Sequence, residues 1–172
     1  MKILIGYHSD TGNTEKVAKS MKEGLTEEGQ DVTLIAAKEI DPSTLKSYDL
    51  VFLGTGVYGG QVGKSLATIV KNATELPSKM VLFSTHMQPN VSPKFFNRLK
   101  RTIEKANSTV IAEFDCVGEE TGLPPALLEK MLGAMPPEQR NQTEKWLESI
   151  KGRPNENDLE KAKEFAKSLL NK

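Results

Sequence analysis

The chain has 172 residues, about the size of one domain on a prior of roughly 100–200 residues per domain. Hydrophobic residues make up 37%, and 23 Lys plus Arg balance 23 Asp plus Glu, so the composition favours a globular fold without the basic excess of a nucleic-acid binder. One cysteine and two histidines exclude an intramolecular disulfide framework and an all-cysteine metal site, and leave little for a multi-histidine site.

Five short apolar runs alternate with longer amphipathic stretches, which is typical of strand–helix–strand units and a parallel sheet. The first four runs are nearly continuous in apolar residues, as expected of strands covered by helices on both faces. The fifth carries Glu113 and Asp115 on one face, which predicts a half-exposed edge strand. Its opposite, apolar face is predicted to hold Val110, Ala112, Phe114 and Cys116. The predicted strands span residues 3–7, 32–36, 50–53, 80–83 and 110–117.

Between these runs, apolar residues recur at helical spacing. Asn157 followed by Glu160 is typical of a capping box and would open the last helix. The segment at about 118–150 fits the alternation less well and predicts extra helical structure, with a helix at about 138–150 that carries Trp146. The sequence shows neither repeat nor linker, so we expect a single domain over residues 1–172. The stripes are Val17, Met21 and Leu25; Val62, Leu66, Ile69, Val70 and Ala73; Phe95, Phe96, Leu99 and Ile103; and Leu159, Ala162, Ala166, Leu169 and Leu170.

The loop after the first predicted strand combines hydroxyl side chains with a glycine, directly before a helix. Such a loop can surround an anion, because the N–H groups at the helix start add the positive end of the helix dipole. A side-chain N-cap is the alternative interpretation, since helices often begin with Ser, Thr or Asn. The candidate residues are Ser9, Asp10, Thr11, Gly12, Asn13 and Thr14.

This loop resembles the phosphate loop of the flavodoxin family, Thr/Ser-x-Thr-Gly-x-Thr, in both pattern and place. The resemblance covers the strand–helix order through Val117 and resumes at residues 152–156, which are similar to the start of the last helix in many prokaryotic relatives. It implies a flavodoxin-like α/β fold, a three-layer sandwich whose five-stranded parallel sheet has the order 2-1-3-4-5 and helices on both faces. It also implies the cofactor FMN. Its phosphate would be held by the hydroxyls of Ser9, Thr11 and Thr14 and the backbone N–H groups of Gly12 and Asn13.

The loop after the third predicted strand contains a literal G-x-G-x-x-G, formed by Gly54, Gly56 and Gly59. A dinucleotide site would also need an acidic residue about 20 positions on, near the end of the next strand, which ends without one. The stretch from Gly59 to Ser65 is one residue short of a P-loop. The family resemblance instead makes this loop a flavin wall. Its candidate residues are Thr55, Gly56, Val57, Tyr58, Gly59 and Gly60.

Within this wall, Tyr58 matches the family's aromatic residue that stacks on the isoalloxazine ring, and a surface tyrosine in a turn is the alternative. Gly59 matches the peptide that can turn a carbonyl toward flavin N5 and so stabilise the one-electron-reduced flavin. The other wall would be the loop after the fourth strand, with candidates Ser84, Thr85, His86 and Met87.

Relatives often place a tyrosine in that second wall, whereas this chain has no tyrosine after Tyr58, so His86 or Met87 would pack on the ring. A solvated loop histidine is an equally good interpretation of His86. Neither 54–61 nor 84–91 contains a carboxylate. We therefore expect a less negative potential of the fully reduced flavin than in acid-rich relatives, rising as the pH falls.

The resemblance implies an FMN-binding electron carrier that shuttles electrons between redox partner proteins, either reductases or electron-accepting enzymes. An FMN-dependent NAD(P)H:quinone oxidoreductase is the alternative, and a regulatory or protoporphyrinogen-oxidising relative is a third, so the sequence leaves open whether the chain is an enzyme. We expect a cytoplasmic monomer or weak dimer with no nucleic-acid partner. We also expect no membrane span, since no apolar stretch approaches about 20 residues.

The extra segment would leave the fifth strand on the cofactor side of the sheet. Its apolar residues could form a lid, a dimer contact or a docking surface, and a helical hairpin that covers the edge strand is the alternative. These residues are Leu123, Leu127, Leu128, Met131, Leu132 and Met135.

Overall fold

Across residues 1–88, 93–119 and 121–170, which this computed structural model describes, the chain forms six strands and six α-helices. The strands are β1 (Lys2–His8), β2 (Asp31–Ala36), β3 (Leu50–Tyr58), β4 (Gln61–Val62), β5 (Lys79–His86) and β6 (Thr109–Val117). The helices are α1 (Asn13–Glu27), α2 (Lys64–Asn72), α3 (Asn97–Lys105), α4 (Pro125–Gly133), α5 (Pro137–Ser149) and α6 (Glu156–Ser168). Short 3-10 helices cover Ala37–Glu39, Pro42–Ser47 and Pro93–Phe96. In these ranges no helix has the length and apolar character needed to cross a membrane.

Five strands pair in parallel in the order β2-β1-β3-β5-β6, which confirms the predicted sheet order. The two-residue strand β4 has no counterpart among the predicted elements and pairs antiparallel with the end of β3. Parallel pairing brings the carboxyl ends of β1, β3 and β5 to one edge of the sheet. Ligands of open α/β sheets bind at such an edge.

Helices cover both faces of this sheet, as predicted. On one face, Leu66 of α2 and Ile103 of α3 pack in a cluster with Leu53 of β3. On the other face, Val17 of α1 packs in a second cluster that includes Phe52 and the apolar side of α6. Successive residues of β3 thus point to opposite cores, which explains why its sequence is apolar without alternation.

Two strands run further than their apolar stretches predict. β3 continues to Tyr58 and β5 continues to His86, because neighbouring strands go on satisfying their backbone groups. The assignment of these residues to loops was therefore wrong, and the rigid sheet holds them. The residues concerned are Gly54, Thr55, Gly56, Val57, Tyr58, Ser84, Thr85 and His86.

The alternation predicted for the fifth strand fails at its start. The register shifts so that Met80 is opposite Val110 and Val81 is opposite Ala112, which leaves Ile111 as an extra residue. Val110 consequently packs in the cluster under α2 and α3, whereas Ala112 packs in the opposite cluster. A one-residue bulge moves the side chains before it to the other face of the sheet, and no residue type in this stretch would have predicted the bulge.

The capping box that opens α6 lies two residues before the predicted one. The Asn155 side chain accepts a hydrogen bond from the Asp158 N–H at 3.2 Å, and the Asp158 carboxylate accepts one from the Asn155 N–H at 3.0 Å. The half-buried Arg153 guanidinium also pairs with the Asp158 carboxylate, which is itself buried. Asn157 and Glu160, the predicted pair, are exposed on the helix instead.

Candidate functional site

A cavity of about 340 Å³ opens at the carboxyl ends of β1, β3 and β5. This volume lies within the range of about 300–1,000 Å³ that is typical of small-molecule sites. The loop after β1, the end of β3 and the end of β5, the three predicted parts of the site, all contribute to its lining. Residues 89–91 of the second predicted flavin wall lie outside the described residues. The predicted residues that line the cavity are Asp10, Thr11, Asn13, Thr14, Gly56, Val57, Tyr58, Thr85, His86 and Met87.

Other predicted residues do not line the cavity. The Thr55 hydroxyl donates to the Gly56 carbonyl at 2.7 Å and accepts from the Gly63 N–H at 2.9 Å, so it holds the turn between β3 and α2. Gly59 and Gly60 form an exposed turn, and Ser84 is buried in the sheet. Ser9 and Gly12 lie in the loop that joins β1 to α1.

The loop between β1 and α1 leaves the start of α1 without a side-chain cap, and it has one buried hydroxyl without a partner in the described part of the chain. The Ser9 hydroxyl oxygen is buried and makes no hydrogen bond there. Gly12 precedes α1 in a left-handed conformation, φ 86° and ψ −11°, and no side chain caps the helix. The side-chain N-cap considered from the sequence is therefore absent. An unpaired hydroxyl beside the positive end of a helix is an arrangement suited to an anion.

Two side-chain bonds join this loop to other walls of the cavity. The hydroxyls of Thr14 and Thr85 lie 2.8 Å apart and are buried. The Asn13 amide donates to the Glu119 carbonyl at 2.8 Å. The first turn of α1 is thus fixed both to the end of β5 and to the segment that follows β6.

His86 lies in the cavity wall with its ring 7% exposed, which excludes the solvated loop histidine. Its Nδ1 is 2.8 Å from the Gln88 carbonyl oxygen, and its Nε2 is 3.1 Å from the Asp115 carboxylate. The hydrogen bond from His86 lowers the pKa of the Asp115 carboxyl, although burial opposes this. The Gln88 carbonyl, just after β5, and the Asp115 carboxylate of β6 therefore fix the orientation of the imidazole ring.

Tyr58 lies at the mouth of the cavity, 39% exposed, and contacts the β1 loop. Burial and a hydrogen bond to the Asp10 carboxylate raise the pKa of Tyr58 to about 12. Its ring meets the His8 ring edge-on, with centroids 5.5 Å apart and an interplanar angle of 71°. His8 Nε2 in turn lies 3.7 Å from the Asp10 carboxylate. Tyr58 is thus tied to two residues of another strand and loop, which an isolated surface tyrosine would not be.

Sequence reasoning missed Gly118, Glu119 and Gly122, which form a fourth wall together with Leu123, a residue of the extra segment that was predicted to lie on the cofactor side. The available signal was the position of Gly118 directly after β6, at the same sheet edge as the other walls. Glu119 and Asp10 bring carboxylates to the cavity, although the two predicted flavin walls contain none. The expected less negative potential stays a prediction, and these two carboxylates would act against it.

Comparisons with known proteins agree with this architecture. The family model of the Flavodoxin domain matches residues 4–167. An uncharacterized protein of Methanocaldococcus jannaschii is 30% identical over 171 residues, 99% of each chain. The flavodoxin-like domain-containing protein BilS of Clostridioides difficile is 29% identical over 177 residues, 99% of this chain and 97% of that one. Oxidised flavodoxin 1 from Bacillus cereus has a TM-score of 0.66 at 16% identity, covers 99% and 98% of the two chains, and shows likeness of fold alone. The family model matches residues 4–167, and the parallel sheet agrees with that family's fold, so the chain belongs to the flavodoxin family.

Proposed function

We propose that this chain binds FMN in the cavity and carries electrons, one at a time, between redox partner proteins. The observation that carries the proposal is that the loop between β1 and α1 lines the cavity through Thr11, Asn13 and Thr14 at the uncapped start of α1, and that the buried Ser9 hydroxyl of the same loop has no partner in the described part of the chain. A buried polar group left unpaired costs about 1–3 kcal/mol, so the loop is suited to a ligand that supplies an acceptor. A phosphate group offers oxygen acceptors and a negative charge at the same place.

The remaining lining fits a flat, mostly apolar ring. Tyr58 and Val57 come from the end of β3, and His86 and Met87 come from the end of β5. A thioether such as Met87 makes favourable contacts with aromatic systems and suits a wall without a tyrosine. When bound, FMN would supply the redox chemistry, while these residues bind it, orient it and limit the access of water. Tyr58 is 39% exposed, so a ring packed on it would lie near the protein surface, within reach of a redox partner.

Ser9→Ala tests the phosphate assignment. We expect this variant to bind FMN about tenfold more weakly because one hydrogen bond to a charged group is lost. Riboflavin, which lacks the phosphate, should bind both proteins equally. Ser168→Ala is the matched control, because the Ser168 hydroxyl donates to the Phe165 carbonyl on the exposed side of α6. Equal loss of FMN and riboflavin affinity, or none at all, would contradict the phosphate site.

A second candidate function is an FMN-dependent NAD(P)H:quinone oxidoreductase. The observation that favours it is that the Tyr58 hydroxyl and His8 Nε2 both contact the Asp10 carboxylate. Phenol, imidazole and carboxylate groups can take part in proton transfer, and here they lie together at the mouth of the cavity. Spectroelectrochemical titration of the FMN-loaded protein separates the two candidates. Two resolved one-electron transitions would support the carrier. A single two-electron transition, together with NAD(P)H oxidation by a quinone, would support the reductase.

Partner identity, a cytoplasmic location and a monomeric or weakly dimeric state stay predictions. Sedimentation of the FMN-loaded protein would decide the oligomeric state, and affinity capture with reduced and oxidised protein would identify redox partners.

A further inference from the structure

The two ends of the segment between β6 and α6 are hydrogen-bonded to each other. The Glu119 N–H donates to the Arg153 carbonyl at 2.7 Å, and the Gly152 N–H donates to the Glu119 carboxylate at 2.8 Å. These bonds close the base of residues 119–153, the segment that contains α4 and α5. Because Glu119 lines the cavity, the base of the segment lies at the site itself.

The same segment also contacts the wall formed by the end of β5. Trp146 of α5 donates its indole N–H to the Met87 carbonyl at 2.6 Å. The next carbonyl along the chain, that of Gln88, lies 2.8 Å from His86 Nδ1. Two consecutive carbonyl groups are therefore each held by a side chain, directly beside the cavity that Met87 lines.

Packing against the hydrophobic core does not hold α4 and α5 in place. Neither helix has a buried residue, and Trp146 is only half-buried. The segment is held instead at its base, at Ile150, which is 1% exposed, and at the bond from Trp146 to Met87. Leu123, just before α4, lines the cavity. The contacts of this segment are thus concentrated at the functional site.

We propose that Trp146 is a positioning residue of the cofactor site: its indole N–H fixes the Met87 carbonyl and thereby sets how the Met87 wall meets the bound ring. This inference rests on the proposed binding of FMN. It assigns the segment 119–153 a part in the site, in place of a mere cover over the edge of β6.

Trp146→Phe tests the proposal, because phenylalanine keeps an aromatic ring and removes the N–H donor. The FMN dissociation constant should rise about two- to tenfold, the effect of one lost hydrogen bond. The visible absorption bands of bound FMN should shift as the wall moves. The matched control is Thr143→Val on the same helix, whose hydroxyl contacts Met135 and the Gln139 carbonyl but no cavity residue. We expect this control to leave the FMN affinity and the bands unchanged.

The chain has one tryptophan, so its indole N–H gives a single signal in the proton–nitrogen NMR spectrum of the FMN-free protein. This N–H should exchange slowly with solvent, and its signal should move when FMN is added. If Trp146→Phe fails to fold, replacement of Trp146 by benzothienylalanine removes the N–H while it keeps the bicyclic shape. The same rise in the dissociation constant is then expected.

The outcomes separate this inference from the proposed function. If the unmodified chain does not bind FMN, the proposed function fails, and the positioning role fails with it. If the chain binds FMN and Trp146→Phe binds it with unchanged affinity and unchanged bands, only the positioning role is overturned. An equal loss of affinity in Thr143→Val would also overturn it, because the effect would then come from general destabilisation of α5.

Discussion

The hydroxyl groups of Thr14 and Thr85 form a buried hydrogen bond 2.8 Å long between the first turn of α1 and the end of β5. Either oxygen can donate, and the hydroxyl that accepts keeps its own hydrogen for another acceptor. This single bond therefore joins two walls of the cavity and leaves one hydroxyl hydrogen free to donate. Its two threonines also allow a direct energetic test.

Thr14→Val should lower the free energy of unfolding by about 1–3 kcal/mol, because the buried Thr85 hydroxyl loses its partner. Thr85→Val should have a similar effect for the same reason. The double variant should be more stable than the sum of the two losses predicts, since no hydroxyl is left unpaired. Urea denaturation of the four proteins measures this coupling, and Thr68→Val on an exposed helix surface is the control. Strictly additive losses would rule out the bond.

Asp158 should make the stability of the chain depend on acid pH. Burial raises the pKa of this carboxyl, but hydrogen bonds from Arg153 and from the Asn155 N–H outweigh it and hold the pKa below its ordinary value. The stabilisation is therefore present above about pH 4, the unfolded-state value, and is lost as the pH falls through the folded pKa.

Asp158→Asn should accordingly cost about 1–3 kcal/mol of unfolding free energy at neutral pH, since it leaves the Arg153 guanidinium without its carboxylate. The variant should also lose less stability than the parent chain on acidification below about pH 4. Denaturation curves across this pH range measure both effects, with exposed Glu160→Gln as the control. Parallel pH profiles of parent and variant would refute the assignment.

Tyr58 should ionise at about pH 12. Burial is the largest cause, and the Asp10 carboxylate adds to it, so Asp10→Asn should bring the pKa of Tyr58 down without reaching its ordinary value. Ultraviolet difference titration follows the phenolate, the Tyr58→Phe variant identifies its contribution, and circular dichroism verifies that the protein stays folded. An unchanged titration curve in Asp10→Asn would mean that the two side chains do not interact.

Gly54 should not tolerate a side chain. A Cβ atom there would lie 2.0 Å from Cζ of Phe83, so Gly54→Ala should cost about 3 kcal/mol of unfolding free energy. Adding Phe83→Leu should recover part of this loss by making room. Gly133→Ala, at a helical position with nothing within 4 Å, should instead be neutral or stabilising by up to about 1 kcal/mol. Thermal unfolding compares these variants, and a stable Gly54→Ala would contradict the packing.

This packing also explains why the glycines after the third predicted strand have the same spacing as a dinucleotide-binding motif. Gly54 gives room to Phe83, and Gly56 gives room to Tyr58, whose hydroxyl would lie 2.9 Å from an added Cβ. Gly59 has a φ of +57° in the turn that leads to β4. Three local demands of packing and backbone geometry thus produce G-x-G-x-x-G.

The positions of the main strands and helices could be predicted because apolar runs and helical stripes are local patterns, whereas the sheet order was implied by the family resemblance. The ends of β3 and β5 could not be predicted, since they are held by pairing with neighbouring strands: Gly54–Gly56 with β1 and β5, Val57–Tyr58 with β4, and Ser84–His86 with β3 and β6. The bulge at Ile111 has no sequence signature. The β1 loop was found through its family motif, whereas its bond to Glu119 spans 106 residues and leaves no trace in either segment alone.

The closed base at Glu119 and Arg153 has an evolutionary consequence. Because Glu119 and Arg153 are hydrogen-bonded to each other, whole turns could be gained or lost between them without moving β6 or α6. The entropic cost of such a change is small, about 0.6 kcal/mol for each doubling of loop length. The size of the segment between Glu119 and Arg153 can therefore change independently of the sheet, so selection can remodel one side of the cavity without altering the fold that supports it.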